Sequence, residues 1–435
     1  MIENILNGAI RPSQNRRDTG EWVIPISPPS EAAFALKCIR RNVAGDFRAA
    51  VAALKAIGTS ASWISDAELK EIASKTGSPI KYMRFSVARM NRWLASIEEY
   101  VTHLGRIDEF GAFARDTTAY TGGISTAFIL AGDDITVAPW MLSHAILAQA
   151  SAIIKPSSVE PLSAFLFVKA ALEQGIRHLN LLHLDSSAEE DRGSIRKILE
   201  STDQSVVLGE DATVARIYGP LPFLPTHKAI PYWSGRSGAI LFPDADLPLA
   251  ARSIMFGATE DRGNRCISTK KVFAPRSVAP KLEALLVAEA DKLKRGSPLD
   301  EDTDIGTLDV AARRAAESAA AGAEMFYDRD LILARSGDRS RLICDEVPYP
   351  AVGLRYYDME DPVELANSSV LDSPSKRSLV VSLFTQNAAT FQAAAARLRA
   401  YKVVWNTPTS HLDLGAAHQG MHLFLELTRT RDVHA

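Results

Sequence analysis

The spacing of apolar residues changes near residue 125. Over 31–39, 47–57 and 83–104 they recur every three or four positions, which predicts helices, and Asp66-Ala67-Glu68-Leu69 reads as another helix start. From residue 126 onward, short continuous apolar runs take turns with amphipathic stretches. Runs 126–131, 151–154, 179–184 and 205–208 read as buried strands, and 141–149, 162–174 and 188–200 as helices, with a short one over 213–217. Strands and helices alternating at this spacing imply βαβ units around a parallel sheet, with ligands bound beyond the carboxyl ends of the strands.

A second alternating stretch follows. Strands are predicted over 238–242, 271–273, 331–334, 379–384 and 403–405, and helices over 247–256, 280–293, 311–322 and 388–399. Residues 1–30 are polar with several Pro and Ser and read as a loose or wrapped arm. A boundary between 234 and 237 divides the chain into units 1–235 and 236–410, with a tail over 411–435.

Composition narrows the function classes. The 435 residues are 46% apolar and 23% charged, which is ordinary for globular chains. A net charge of −3 and a pI near 6.3 give no electrostatic case for nucleic acid or an anionic membrane. The first residues lack a basic segment followed by an apolar one, and the apolar stretch 125–154 is interrupted by Asp133, Asp134, Pro139, His144 and Gln149. A cytoplasmic protein without a membrane span is the expectation. Three scattered cysteines, Cys38, Cys266 and Cys344, argue against a disulfide framework, and scattered histidines leave no metal site expected.

Candidate chemistry centres on Cys266. It lies in Gly263-Asn264-Arg265-Cys266-Ile267-Ser268-Thr269, a polar loop between a helix and a strand. There a cysteine can be exposed near backbone N–H groups and act as a thiolate nucleophile; otherwise it is one more small buried residue. Lys155, at the carboxyl end of a strand and followed by Pro156, is placed for a ribose or phosphate oxygen. Gly209 forms a glycine turn after the strand 205–208, and no GxGxxG follows any strand. Asp244 and Asp246 precede a helix and read as caps, while Glu260 and Asp261 read as a solvated loop or, alternatively, as bases near Cys266.

Taken in order, Lys155-Pro156-Ser157, 237–246, Gly263-x-x-Cys266-x-x-Thr269-Lys270, Glu346-x-Pro348-x-Pro350-x-Val352 and Val404-Trp405-Asn406-x-Pro408 resemble the aldehyde dehydrogenase superfamily over roughly residues 125–410. The resemblance implies an α/β fold of two Rossmann-like domains with a small oligomerisation flap. The cofactor domain would be 1–235 and the catalytic domain 236–410, in a homo-oligomer. It implies a nucleophile at Cys266, a ribose contact at Lys155 and a nicotinamide-ribose contact at Glu346. Ser158 stands where NAD-preferring members often carry a carboxylate, so NADPH is the expected cofactor, with NADH also possible.

Tyr232 occupies the place of the glutamate that hydrolytic members use as a general base, and a phenol is a poor base near neutral pH. Together with 129–133, 153–158 and 206–214, this resembles the luciferase-operon fatty acyl-CoA reductases, the LuxC family. The function so implied is reduction of an acyl-CoA or other acyl thioester to an aldehyde through acyl-Cys266, beside partner acyl-transfer enzymes. Alternatives are oxidation of an aldehyde to an acid with Glu260 or another carboxylate as base, and a catalytically silent homologue that binds a partner enzyme. That family usually carries Asn where Asp133 stands; an ionised Asp133 would repel an oxyanion.

Overall fold

The computed structural model describes residues 1–39, 47–59, 63–103, 117–121, 124–185, 188–221, 227–411 and 413–433. It contains two seven-stranded sheets. The first runs, in spatial order, Lys228–Tyr232, Gln204–Leu208, Ser125–Ile129, Ser151–Lys155, Leu179–Leu181, Asn4–Leu6 and Ala9–Arg11. All neighbours from Lys228–Tyr232 to Leu179–Leu181 are parallel, and the N-terminal hairpin closes the edge antiparallel.

Period-two alternation explains why the central strands are apolar throughout. Phe128, Ala152, Ile154 and Val206 enter one core, and Ala127, Ile129, Ile153 and Val207 the core on the opposite face. Helices Phe47–Thr59, Ile80–Ala95, Val137–Leu147 and Leu162–Glu173 cover the first face, and Pro29–Ile39 and Glu189–Ser201 the second.

The chain leaves this sheet after Tyr232 and enters the second at Gly238–Leu241. The second sheet runs Glu324–Asp328, Ile332–Arg335, Ala351–Tyr357, Lys271–Pro275, Gly238–Leu241, Ser378–Phe384 and Ala400–Trp405. It is parallel except for the edge strand Glu324–Asp328. The fold is therefore α/β with two parallel-sheet units. A separate antiparallel ribbon pairs Thr117–Thr121 with Arg429–Val433. Before that ribbon the chain returns to the first unit: Leu423, Phe424 and Leu427 are buried in its larger core. No described helix is long and apolar enough to cross a membrane.

Several local expectations change. The arm 1–30 is ordered: two strands join the sheet, a hairpin forms from Arg16–Asp18 and Val23–Pro25, and Trp22 is buried with its Nε1 donating to the Val159 carbonyl at 2.8 Å. The helix expected over 83–104 is two helices, Ile80–Ala95 and Ile97–His103, parted at Ser96. The strand Ala351–Tyr357 has no counterpart in the predicted elements. Its glycine hides it: a Cβ at Gly353 would stand 2.9 Å from the Leu342 Cβ, so the helix Arg341–Cys344 can pack there only against glycine.

Candidate active site

Cys266 sits on the turn that feeds the strand Lys271–Pro275. The turn is sharp because Asp261, Arg262 and Gly263 all take positive φ, at 50°, 59° and 65°. It is closed from inside by the Ser237 hydroxyl, which donates to the Cys266 carbonyl at 3.1 Å and accepts from the Val380 N–H at 3.1 Å. Gly235 lies against the same carbonyl, where a Cβ would come within 1.6 Å of the oxygen.

Cys266 is half-buried. Burial, and then the Glu346 carboxylate, push its thiol up to about 12, while Arg265 and its own backbone N–H pull the other way. The structure thus brings Cys266 and Glu346 together. Glu346 accepts a hydrogen bond from the Arg236 N–H, and its own carboxyl is raised by burial against the pull of Lys270. Lys270 and Lys271 are fully buried beneath the loop. Lys270 Nζ donates to the Gly263 and Tyr349 carbonyls and Lys271 Nζ to Ser369 Oγ at 2.8 Å. Burial lowers them to about 8 and about 7.

The loop expected to be solvated is instead the centre of an ion-pair cluster. Arg265 bridges Asp134 at 2.8 Å and Glu260 at 3.0 Å, and Arg262 pairs with Asp133. Glu260 is only 2% exposed. The cause is the positive-φ turn, which folds Glu260 and Asp261 back under the loop. Asp261, held by the Ser78 hydroxyl, is pushed up to about 6 by burial, against Arg262. Burial also opposes ionisation of Asp134, but Arg265 and Thr136 outweigh it and hold Asp134 below the usual carboxylate range. Asp133 is not a bare charge facing the thiol, because Arg262 and the Asn264 amide, at 2.8 Å, both donate to it. The cavity lined by Ser78, Tyr82, Ser86, Asp134 and Arg265 measures about 10 Å³, room for one water at most.

Tyr232 does not face the cysteine. It is buried in the core of the first sheet, stacked on His418 with centroids 5.6 Å apart, and its hydroxyl has no hydrogen-bond partner among the described residues. The position of the expected base therefore belongs to an aromatic cluster.

Lys155, Ser158 and Gly209 lie at the carboxyl edge of the first sheet. Lys155 is buried, and burial lowers it to about 8 with Asp185 opposing. Ser158 is exposed and lines a cavity of about 360 Å³ with Arg17, Asp18, Glu21 and Asp185. Gly209 lies two strands away, where a Cβ would stand 3.2 Å from Thr213 and 3.5 Å from Ala131. Between this edge and Cys266 stands Arg236. It pairs with Asp211, donates to the Cys344 carbonyl at 3.1 Å and leaves a buried Nη1 without a partner among the described residues. An open cavity beside a buried lysine, and an orphaned guanidinium nitrogen between it and Glu346, fit a dinucleotide laid across the two sheets. Arg236, Arg265 and Asp134 escaped the sequence reading; the available signal was their adjacency to Cys266, Asp133 and the run 232–236.

Two parallel-sheet units, the first carrying these side chains at its carboxyl edge and the second at its amino edge, have the architecture of a dinucleotide-dependent oxidoreductase. The aldehyde dehydrogenase family model matches residues 67–423, and the chain belongs to that family. It is 32% identical over 185 residues to betaine aldehyde dehydrogenase 2 of Rhizobium meliloti (strain 1021), covering 41% of this chain and 37% of that one. It is 27% identical over 331 residues to the aldehyde-dehydrogenase-like protein y4uC of Sinorhizobium fredii (strain NBRC 101917 / NGR234), covering 69% and 62%. The chain thus spans less than two thirds of these relatives' length. An oxidoreductase from Marinobacter aquaeolei superposes with a TM-score of 0.82 at 19% identity, covering 99% of this chain and 98% of that one. An indole-3-acetaldehyde dehydrogenase solved with NAD+ gives 0.81 at 19%, covering 100% and 96%. Those relatives with a named activity are called aldehyde dehydrogenases, which favours the aldehyde-oxidising alternative over acyl-thioester reduction.

Proposed function

We propose that this protein oxidises an aldehyde to a carboxylic acid through a thioester on Cys266. The observation that carries the reading is the half-buried Cys266 with the Glu346 carboxylate acting on it, each in a loop that leads into a strand, at the amino edge of the second sheet. Cys266 is protonated at rest. Of its carboxylate neighbours, Asp134 is held ionised by Arg265, whereas Glu346 is raised toward neutrality and is the better proton acceptor. The thiol proton passes to Glu346, and the sulfur bonds to the carbonyl carbon. The Cys266 N–H, which already points at its sulfur, faces the oxygen that gains charge. A bound nicotinamide dinucleotide would supply the hydride acceptor. Water then adds to the acyl carbon, the C–S bond breaks and the acid leaves.

Lys155, Ser158, Gly209 and Arg236 would hold the dinucleotide, with Glu346 at its nicotinamide end. Ser158 alone suggests NADP, but Asp18, Glu21 and Asp185 share its cavity with a single arginine, Arg17. Arg17 is itself paired with Asp185 at 3.0 Å. That balance disfavours a 2′-phosphate, so NAD is proposed as the preferred cofactor.

Tyr232 supports a second reading, acyl-thioester reduction, because the position of the hydrolytic base is apolar. The ion-pair cluster weighs against a fatty chain, since an alkyl group displacing Asp134 or Arg265 would strand a buried charge. The test is product analysis after mixing the protein, NAD and an aldehyde panel, with and without coenzyme A. Free acid formed without coenzyme A, and a Cys266 adduct seen by intact mass and absent in Cys266→Ala, are expected. Acyl-CoA as the sole product would move the assignment to the second reading, and full activity in Cys266→Ala would overturn both.

A further inference from the structure

The hairpin of Arg16–Asp18 and Val23–Pro25 belongs to neither large sheet, yet it forms one wall of the cavity at the carboxyl edge of the first. Five of the nine residues that line this cavity lie on the hairpin, and the other four, Ser158 and Asp185 among them, follow the strands Ser151–Lys155 and Leu179–Leu181. The hairpin is anchored on both sides. Trp22 donates to the Val159 carbonyl, Lys75 Nζ stands 3.9 Å from the centre of the Trp22 ring, and Arg17 bridges Asp185 at 3.0 Å and Asp191 at 3.3 Å. Asp185 and Asp191 also act on the Lys155 ammonium, so the hairpin, the sheet edge and Lys155 meet at one place.

The polar groups of the hairpin tip are engaged, with one exception. Asp18 accepts from the Gly20 N–H at 2.8 Å, and Thr19 closes the turn on the Trp22 carbonyl, through its N–H at 2.8 Å and its hydroxyl at 3.1 Å. Arg17 is occupied by Asp185 and Asp191. Glu21 is exposed, lines the cavity and makes no hydrogen bond or ion pair among the described residues. The turn is complete without it, and its carboxylate is left bordering the cavity. We propose that Glu21 selects the cofactor: its carboxylate accepts from the hydroxyls of the adenosine ribose and excludes a 2′-phosphate, a task for which Ser158 lacks the charge. A carboxylate is an acceptor toward a hydroxyl and a like charge toward a phosphate, so one group does both. Arg17 would favour a 2′-phosphate, but Asp185 and Asp191 already hold it, so it does not offset the repulsion. The ribose is thus read by the arm laid against the sheet and not by the strand end.

The inference rests on the dinucleotide reading of this cavity given above. Its test is calorimetric binding to the full-length protein in the absence of substrate. The probes are NAD, NADP, adenosine 5′-phosphate and adenosine 2′,5′-bisphosphate; the last two differ only at the 2′ position. The unsubstituted protein should bind the 5′-phosphate roughly 10-fold tighter than the 2′,5′-bisphosphate. Glu21→Gln should bring the two within about 3-fold and Glu21→Lys should reverse their order, with the same shifts for NAD against NADP. Both variants should melt with the unsubstituted protein, because Glu21 is exposed. Glu317→Gln makes the same change of charge on the exposed side of the helix Val310–Ala319, in the second unit, and should leave the order unchanged. An order that Glu21→Gln and Glu21→Lys do not move would overturn the inference and leave the proposed function standing, since the dinucleotide still binds. A preference of the unsubstituted protein for the bisphosphate, or an equal shift from Glu317→Gln, would also overturn it. Binding of neither dinucleotide would sink the dinucleotide reading itself, and this inference with it.

Discussion

The carboxyl edge of the first sheet and the amino edge of the second both carry candidate site residues and differ in what fills them. At the first, Ser158 and Asp185 border an open cavity of about 360 Å³. At the second, the space beside the Cys266 loop has shrunk to about 10 Å³ and is packed with ion pairs: Arg265 with Asp134 and Glu260, and Arg262 with Asp133. The first edge suits a ligand that comes and goes, since the charges lining its cavity, Arg17, Asp18, Glu21 and Asp185, are exposed or half-buried and cheap to uncover. The second fixes charges around one sulfur in a medium where each is strong, so a ligand there must match them. The same topology therefore makes an exchange site at one edge and a selective site at the other.

That contrast is broken most directly at Arg265. Arg265→Met leaves the buried Glu260 and the half-buried Asp134 without their partner and should destabilise the fold by about 3–5 kcal/mol, read from denaturant unfolding. A loss below about 1 kcal/mol would mean that the cluster is as solvated as the first edge. Next comes Gly235→Ala. Its Cβ would overlap the Cys266 carbonyl, and the forced shift should cost about 1–3 kcal/mol and displace the nucleophile, lowering kcat more than KM. At the open edge, Lys155→Met should weaken NAD binding roughly 10-fold with little change in stability, measured by fluorescence titration and thermal melting. The last effect is a slope with pH. Lys271 is lowered to about 7 in the folded chain, so between pH 7 and its ordinary value near 10.5 the unfolded chain holds a proton that the folded chain has released. Stability contributed by this group rises with pH across that window, by at most about 1.4 kcal/mol per pH unit. Lys271→Met should remove that rise when melts are compared over the same window.

The strands that cross the core were legible because each face of a parallel sheet is buried, which leaves continuous apolar runs such as Ala127-Phe128-Ile129 and Ala152-Ile153-Ile154. Ala351–Tyr357 was not legible, because Gly353 answers to a neighbouring helix and Arg355 to Asp338 and Glu360, partners remote from the strand's own pattern. Cys266 could be singled out by its polar, glycine-led loop. Tyr232 could be matched to the base's place in the chain, but its direction could not, since stacking on His418 depends on a segment 186 residues away.

The sequence by itself determined the class of fold, the division of strands between two sheets and the family. These follow from local periodicity and from motifs whose order along the chain is itself the signal. Only the tertiary structure decided that Glu260 is buried, that Asp261 is half-buried against Ser78, and that Asp133 is neutralised by Arg262 and Asn264. It alone decided that the arm is a sheet edge and that Arg89 Nε and Nη2 have no hydrogen-bond partner among the described residues. Each of these depends on charges brought together from distant segments, such as Asp133 and Arg262, which lie 129 residues apart. Coulomb energies are set by distance in space and by burial, and neither can be read from separation along the chain.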